Sequence, residues 1–249
     1  MYRWRRSVLR WGLWSIVYRF WMRLTVYGWD NIPSSGPLMM MVNHIHVSDP
    51  GVMISFYPGR DIVPLAKIEA FSQPLLRYFV THWGAIPVHR GEADRHALQR
   101  AIEHIRAGDI VLFFAEGTRS RTGNLIQGKE GSAYLALKTG ATVVPAGIWG
   151  TTGFPATLLR EGRRTPVHVA FGRPFRFRWE GGGRLPREHF QAMTDEAMYR
   201  IAALLPPELR GVYSDLSKAT TNFLDLDVPF TPVSRTLPHR VLASSPAMV

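Results

Sequence analysis

Two histidines and an aspartate stand close together in "NHIHVSDP", residues 43–50. They follow the apolar run Leu38-Met39-Met40-Met41-Val42. That run has the form of a buried strand, so the polar residues fall where the strand should end. In open α/β sheets, ligands collect at the carboxyl ends of strands. A histidine can serve as a general base near neutral pH, and a carboxylate beside it fixes its tautomer and stabilises its cation. His44 and Asp49 make such a pair only across a turn, because on a continuous helix a five-residue separation turns the side chains about 140° apart. Asp49-Pro50 supplies the turn, with Asp49 expected at a helix N-cap and Pro50 at the first helical position. Capping alone would also account for Asp49. His44 and His46 form an H-x-H pair, which suits a metal-dependent hydrolase only if more ligands exist. His82 and His89 are candidates, and neither has a supporting spacing.

The elements that would position these residues can be read from periodicity. Apolar runs predict strands over Leu38–Val42, Ile62–Ala66, Gly84–Val88, Ile110–Phe114, Thr142–Ile148 and Pro166–Phe171. Helical spacing falls between them over 92–106, 129–139 and 186–205, with Gly140 a natural stop for the second and Pro206-Pro207 for the third. Strands alternating with helices give an α/β fold, a single domain around a central mostly parallel or mixed sheet flanked by helices. The expected division is a helical arm over 1–25, the main domain over 26–210 and an extended tail over 211–249.

Composition bounds the chemistry. The chain has 249 residues, 46% hydrophobic and 20% charged, which fits a folded domain. It has no cysteine, which excludes disulfides, thiolate nucleophiles and Cys-ligated zinc. A net charge of +11 suits an anionic partner. The cations are spread over strand ends and an aromatic arm, not gathered in one stripe, which argues against nucleic acid. The arm, "YRWRRSVLRWGLWSIVYRFWMRL" over 2–24, alternates aromatics with arginines. It is too interrupted by charge to span a bilayer and has no cleavage signal. Its rings and arginines suit a helix lying in a membrane interface. An amphipathic helix packed on its own domain is the other reading.

Three more segments repeat the pattern of an apolar run followed by a polar or turn-forming insert. They are "GAIPVHR" over 84–90, "FFAEGTRSR" over 113–121 and "VVPAGI" over 143–148. Together with "NHIHVSD", in this order and spacing, they resemble the four motifs of the glycerophospholipid acyltransferases. The chain is most similar to the bacterial 1-acylglycerol-3-phosphate (lysophosphatidic acid) acyltransferases. The resemblance covers roughly residues 26–175. Ala115 stands where many relatives carry a proline before the glutamate, a change that removes no reactive group.

The resemblance implies acyl transfer from an acyl thioester to the sn-2 hydroxyl of 1-acylglycerol-3-phosphate, giving phosphatidic acid; the alternatives are another lysolipid acceptor, a metal-dependent hydrolase using His44 and His46, or a non-catalytic lipid-binding protein. His44 would be the base and Asp49 its orienting partner. Ser48 has no assigned base and is not expected to act as a nucleophile. Arg119, Lys67 and Arg90 would hold the acceptor phosphate, and a guanidinium can grip two oxygens at once. Glu116, Gly117 and Thr118 would shape the acceptor site. Glu116 would either bond a glycerol hydroxyl or hold Arg119. Pro145 would lie on the acyl-donor side or mark an irregular strand. No metal or cofactor is expected; acyl-CoA or acyl carrier protein would be the donor substrate. The expected partners are the two substrates and a membrane lipid surface, with the protein peripheral or monotopic on the cytoplasmic face of the cell membrane.

Overall fold

The computed structural model describes residues 12, 19–55, 60–89, 94–181 and 186–233. Most of the arm, Arg90 and the last residues of the tail lie outside the described residues.

Strand β2, Leu38–Val42, is the apolar run that precedes the histidines, and all five of its residues are buried. It is buried on both faces because it lies inside a sheet, with β5 (Ile110–Phe114) on one side and β6 (Thr142–Trp149) on the other, both parallel to it. Outside β5 lie β3 (Ile62–Lys67) and β4 (Ile86–Val88). Outside β6 lie β7 (Thr165–Phe171) and β1 (Met22–Tyr27). The sheet has seven strands in the order β1-β7-β6-β2-β5-β3-β4. Only the β6–β7 pair is antiparallel, so the sheet is mixed and mostly parallel.

Alternation along the strands splits the core in two. Met39, Met41, Val111 and Val143 face one cluster. That side is covered by helices α3 (Arg95–Arg106), α4 (Gly131–Thr139) and α6 (Arg187–Ala202). Helix α3 puts Ala97, Ala101, Ile102 and Ile105 on its buried face and is capped by Asp94, whose carboxylate accepts the Ala97 N–H at 2.9 Å. Leu38, Met40 and Val42 face the other cluster, with Leu24, Val26, Phe171 and the Val52 and Met53 side chains of helix α1 (Asp49–Ser55). Helix α2 (Pro74–His82) follows β3, and helix α5 (Ala156–Glu161) joins β6 to β7.

Two boundaries differ from the sequence reading. The sheet already begins at Met22, inside the segment read as arm, because Met22, Leu24 and Val26 are buried against β7 while Arg23 is exposed. At the other end, the stretch after Leu205 is fastened to the domain. The buried carboxylate of Glu196 accepts the Thr220 hydroxyl at 2.6 Å and the Asn222 and Phe223 N–H groups at 2.8 and 2.9 Å. Leu224 and Asp225 form β9, which pairs with β8 (Arg176–Phe177), and Pro232 bridges to Pro33. No helix among the described residues is long and apolar enough to cross a membrane.

Candidate active site

The carboxyl ends of β2, β5, β3, β4 and β6 all point to one edge of the sheet, and the chemistry-bearing residues collect there. Where β2 ends, Asn43 continues the pairing through its side chain. Its amide NH2 donates to the Ile148 carbonyl at 2.9 Å, and its amide oxygen accepts the Ile148 N–H at 2.7 Å. This two-bond joint holds the chain against β6 just as it leaves the sheet.

His44 follows. It is 8% exposed, and its ring lies on the Phe114 ring at the end of β5, with centroids 4.2 Å apart. Its carbonyl accepts the Ser120 N–H at 2.8 Å, which ties the third motif to the first. His44 Nδ1 is 2.9 Å from Asp49 Oδ2. The same oxygen accepts the N–H groups of Ile45 at 2.8 Å and His46 at 2.7 Å. Asp49 Oδ1 accepts the Thr151 hydroxyl at 2.6 Å. Asp49 is fully buried.

The cap expected of Asp49 is therefore not how its side chain is used. The first helical bond of α1 runs from the Val52 N–H to the Ser48 carbonyl, so Ser48 stands at the boundary. The Asp49 carboxylate points back into the 44–46 loop, whose N–H groups would otherwise be buried without acceptors. A carboxylate can only accept, so Nδ1 of His44 carries the proton of their shared bond and Nε2 is left with the lone pair.

Glu116, just past the end of β5, is fully buried, and neither carboxylate oxygen makes a hydrogen bond of normal geometry, although the His44 backbone N–H is near enough to act on it. Burial pushes its pKa up to about 8. The His44 backbone N–H works against that rise, and the charge on Asp49 adds to it. Glu116 thus does not hold Arg119, which is exposed. Gly117 turns the chain at φ 64°, a conformation that disfavours any side chain, and its N–H closes the turn on the Phe114 carbonyl at 3.0 Å. Thr118 and Arg119 follow on the surface. His46 is half-buried, and its Nδ1 is 2.8 Å from the Ser48 hydroxyl. Its pKa is lowered, chiefly by burial; Asp49 pulls the other way, and the charges of Arg119 and His44 lower it further. Arg119 thus acts on the same cluster.

The remaining expected residues lie further out. Lys67 ends β3, half-buried and separated from β2 by β5. Arg90 is outside the described residues. Pro145 is buried within β6, paired with Met41 of β2, so it sits beneath the edge and does not line it. Its carbonyl accepts the Gly172 N–H at 2.8 Å, just where the β6–β7 ladder stops at Ala146 and Phe171. The missing N–H of a proline therefore removes no ladder bond there. His82 bonds the Tyr78 carbonyl of its own helix and His89 bonds Asp94, so neither joins His44 and His46. Among the described residues, no three His, Cys, Asp or Glu side chains come together as metal ligands. Asn43, Phe114 and Thr151 were not among the expected residues. Asn43 had a signal, as a polar amide at the end of an all-apolar strand. Thr151 had none, being 102 residues from its partner.

A buried imidazole oriented by a carboxylate at the carboxyl edge of an α/β sheet can act as a general base. The chain belongs to the Acyltransferase family, whose sequence profile matches residues 23–149. It is 32% identical over 166 residues to the chloroplastic 1-acyl-sn-glycerol-3-phosphate acyltransferase LPAT1 of Arabidopsis thaliana, covering 63% of this chain and 46% of that one. It is 30% identical over 152 residues to the 1-acyl-sn-glycerol-3-phosphate acyltransferase of Borreliella burgdorferi, covering 59% of this chain and 60% of the relative. The chain spans about half the length of the curated relatives it matches. The crystal structure of the 1-acyl-sn-glycerophosphate (LPA) acyltransferase PlsC from Thermotoga maritima superposes with a TM-score of 0.54 at 26% identity, over 77% of this chain and 75% of that one.

Proposed function

We propose that this protein transfers a fatty acyl group from an acyl thioester to the sn-2 hydroxyl of 1-acylglycerol-3-phosphate, releasing phosphatidic acid and a free thiol. The observation that carries this reading is the His44–Asp49 pair, 2.9 Å apart and buried at the sheet edge. His44 Nε2 takes the hydroxyl proton as the oxygen attacks the thioester carbonyl carbon. The tetrahedral intermediate collapses with cleavage of the C–S bond, and the imidazolium returns its proton to the departing thiolate. Asp49 keeps Nε2 basic and stabilises the imidazolium. Arg119 holds the acceptor phosphate, with Lys67 and Arg90 in support. The donor is acyl-CoA or acyl carrier protein, and the aromatic- and arginine-rich segment before Met22 holds the site at the cytoplasmic face of the membrane.

The test is thioester-dependent acylation of lysophosphatidic acid by purified wild type and His44→Ala. Phosphatidic acid from the wild type alone supports the reaction, the acceptor and the base together. Turnover that survives His44→Ala removes His44 from the mechanism, and no product with either donor removes lysophosphatidic acid as the acceptor.

A further inference from the structure

Seven large apolar side chains are exposed among the described residues: Phe20, Val47, Leu75, Tyr78, Tyr134, Leu159 and Val212. Their distribution is one-sided. Val47 is on the loop that leaves β2, between His46 and Ser48. Leu75 and Tyr78 are on α2, in the connection that leaves the carboxyl end of β3, and Leu159 is on α5 between the end of β6 and the start of β7. Phe20 precedes β1, whose first residue pairs with the first residue of β7 and so lies at the same edge. Five of the seven thus rim the edge that carries His44, at exposures of 49% to 71%. The opposite edge carries Ser34, Ser35, Gly36 and Gly108 with Arg60 and Arg106, so it shares the cations but has none of these exposed apolar side chains.

Exposed arginines lie on the connections at this edge too: Arg77 after β3, Arg119 and Arg121 after β5, and Arg160 after β6. Against them stand the exposed acids Glu69 and Glu161, and Glu161 pairs with Arg163. The helical turn Arg19–Trp21, which directly precedes β1, also lies at this edge. Isolated exposed apolar residues need no explanation, but a rim of them around a functional cleft marks an interaction surface. Apolar side chains interleaved with arginines fit an anionic bilayer, where rings and aliphatic groups enter the acyl boundary and guanidinium groups meet lipid phosphates.

We infer that the carboxyl edge of the sheet is a bilayer-docking surface. Leu75, Tyr78, Leu159 and Val47 enter one leaflet of an anionic membrane, so that the His44 cleft opens directly onto it. The inference rests on the lysolipid reading for its purpose, since a lipid acceptor would then reach Nε2 without leaving the membrane. It assigns the contact to the folded domain itself, in addition to any made by residues 1–18.

The absence of cysteine permits a direct test. Leu75→Cys, Leu159→Cys and, at the opposite edge, Ser35→Cys are each labelled with an environment-sensitive fluorophore in the full chain. They are then mixed with vesicles of phosphatidylcholine and phosphatidylglycerol. The expected result is a blue shift and brighter emission at positions 75 and 159, and none at 35. No change at 75 and 159, an equal change at 35, or a change that follows protein concentration without vesicles overturns the inference; the last would mark a contact between copies of the chain. A second measurement compares acceptors. Leu75→Ser with Leu159→Ser should lower turnover of vesicle-borne lysophosphatidic acid about tenfold and leave a dispersed short-chain acceptor unaffected. An equal loss on both acceptors overturns the docking role. Failure of the wild type on both defeats the acyl-transfer reading, and the fluorophore result still decides the surface.

Discussion

The Asp49 carboxylate accepts bonds from His44, Ile45, His46 and Thr151, and that number of acceptor contacts separates its two expected roles. Asn at this position would keep the shape, but it has one acceptor oxygen and an NH2 that opposes the donors around it. Asp49→Asn should therefore lower kcat about a hundred- to ten-thousandfold, with KM for the thioester changed much less, in steady-state assays of the purified protein. A loss smaller than about tenfold would mean that His44 is oriented without it. Glu116 calls for a different measurement. Burial raises its pKa from 4.5 to about 8, so between those values the folded state keeps a proton that the unfolded chain has lost. The folded state binding the extra proton makes stability fall as pH rises through that window, and level off above about pH 8. Urea unfolding of wild type between pH 5 and pH 8 should show this decline, and Glu116→Gln should flatten it. A parallel decline in the variant would place its source elsewhere. Both carboxylates were legible in the sequence because each lies within a few residues of a strand end. Their environments were not: the partner of Asp49 on β6 side and the ring of Phe114 come from segments distant in sequence.

At the scale of elements, the site depends on how β2 is held after its last ladder pair. Val42 pairs with Ala146, and Asn43 then bonds both polar groups of Ile148. Asn43→Ala would leave the buried Ile148 N–H and carbonyl without those partners and should cost about 2–4 kcal/mol in chemical denaturation. It should also reduce activity by loosening the residue before His44. A stability change below about 0.5 kcal/mol would show that the joint is dispensable. The strands flanking β2 were readable because a strand covered on both faces is apolar throughout. Strand β1 was not, since "MRLTVY" at the sheet edge alternates buried and exposed residues and follows directly on the arginine- and aromatic-rich arm. The segment after Leu205 carries no apolar period because its core side chains, Tyr213 and Leu224 among them, come from three-residue turns and a two-residue strand, beside polar contacts to Glu196 and a bridge at Pro33.

The whole molecule is polarised along its strands. One edge carries the His44–Asp49 pair, exposed arginines and most of the exposed large apolar side chains; the opposite edge carries serines, glycines and the arginines Arg60 and Arg106, and receives the returning tail at Pro33. The net charge of +11 was plain in the sequence, but its meaning was not, because charge alone suits nucleic acid, lipid or phosphorylated ligands. Only the fold shows that cations and apolar groups share the edge with the cleft. Two forces on one surface respond differently to salt. The Debye length shrinks from about 10 Å at 0.1 M to about 3 Å at 1 M, which weakens the arginine contribution and leaves apolar insertion in place. Sedimentation with phosphatidylglycerol-containing vesicles should therefore weaken about tenfold or more over that range and reach a residual plateau. Binding to pure phosphatidylcholine vesicles should stay near that plateau at every salt concentration. Complete loss on anionic vesicles at high salt would mean that charge alone holds the protein there, and that Leu75 and Leu159 do not enter the bilayer.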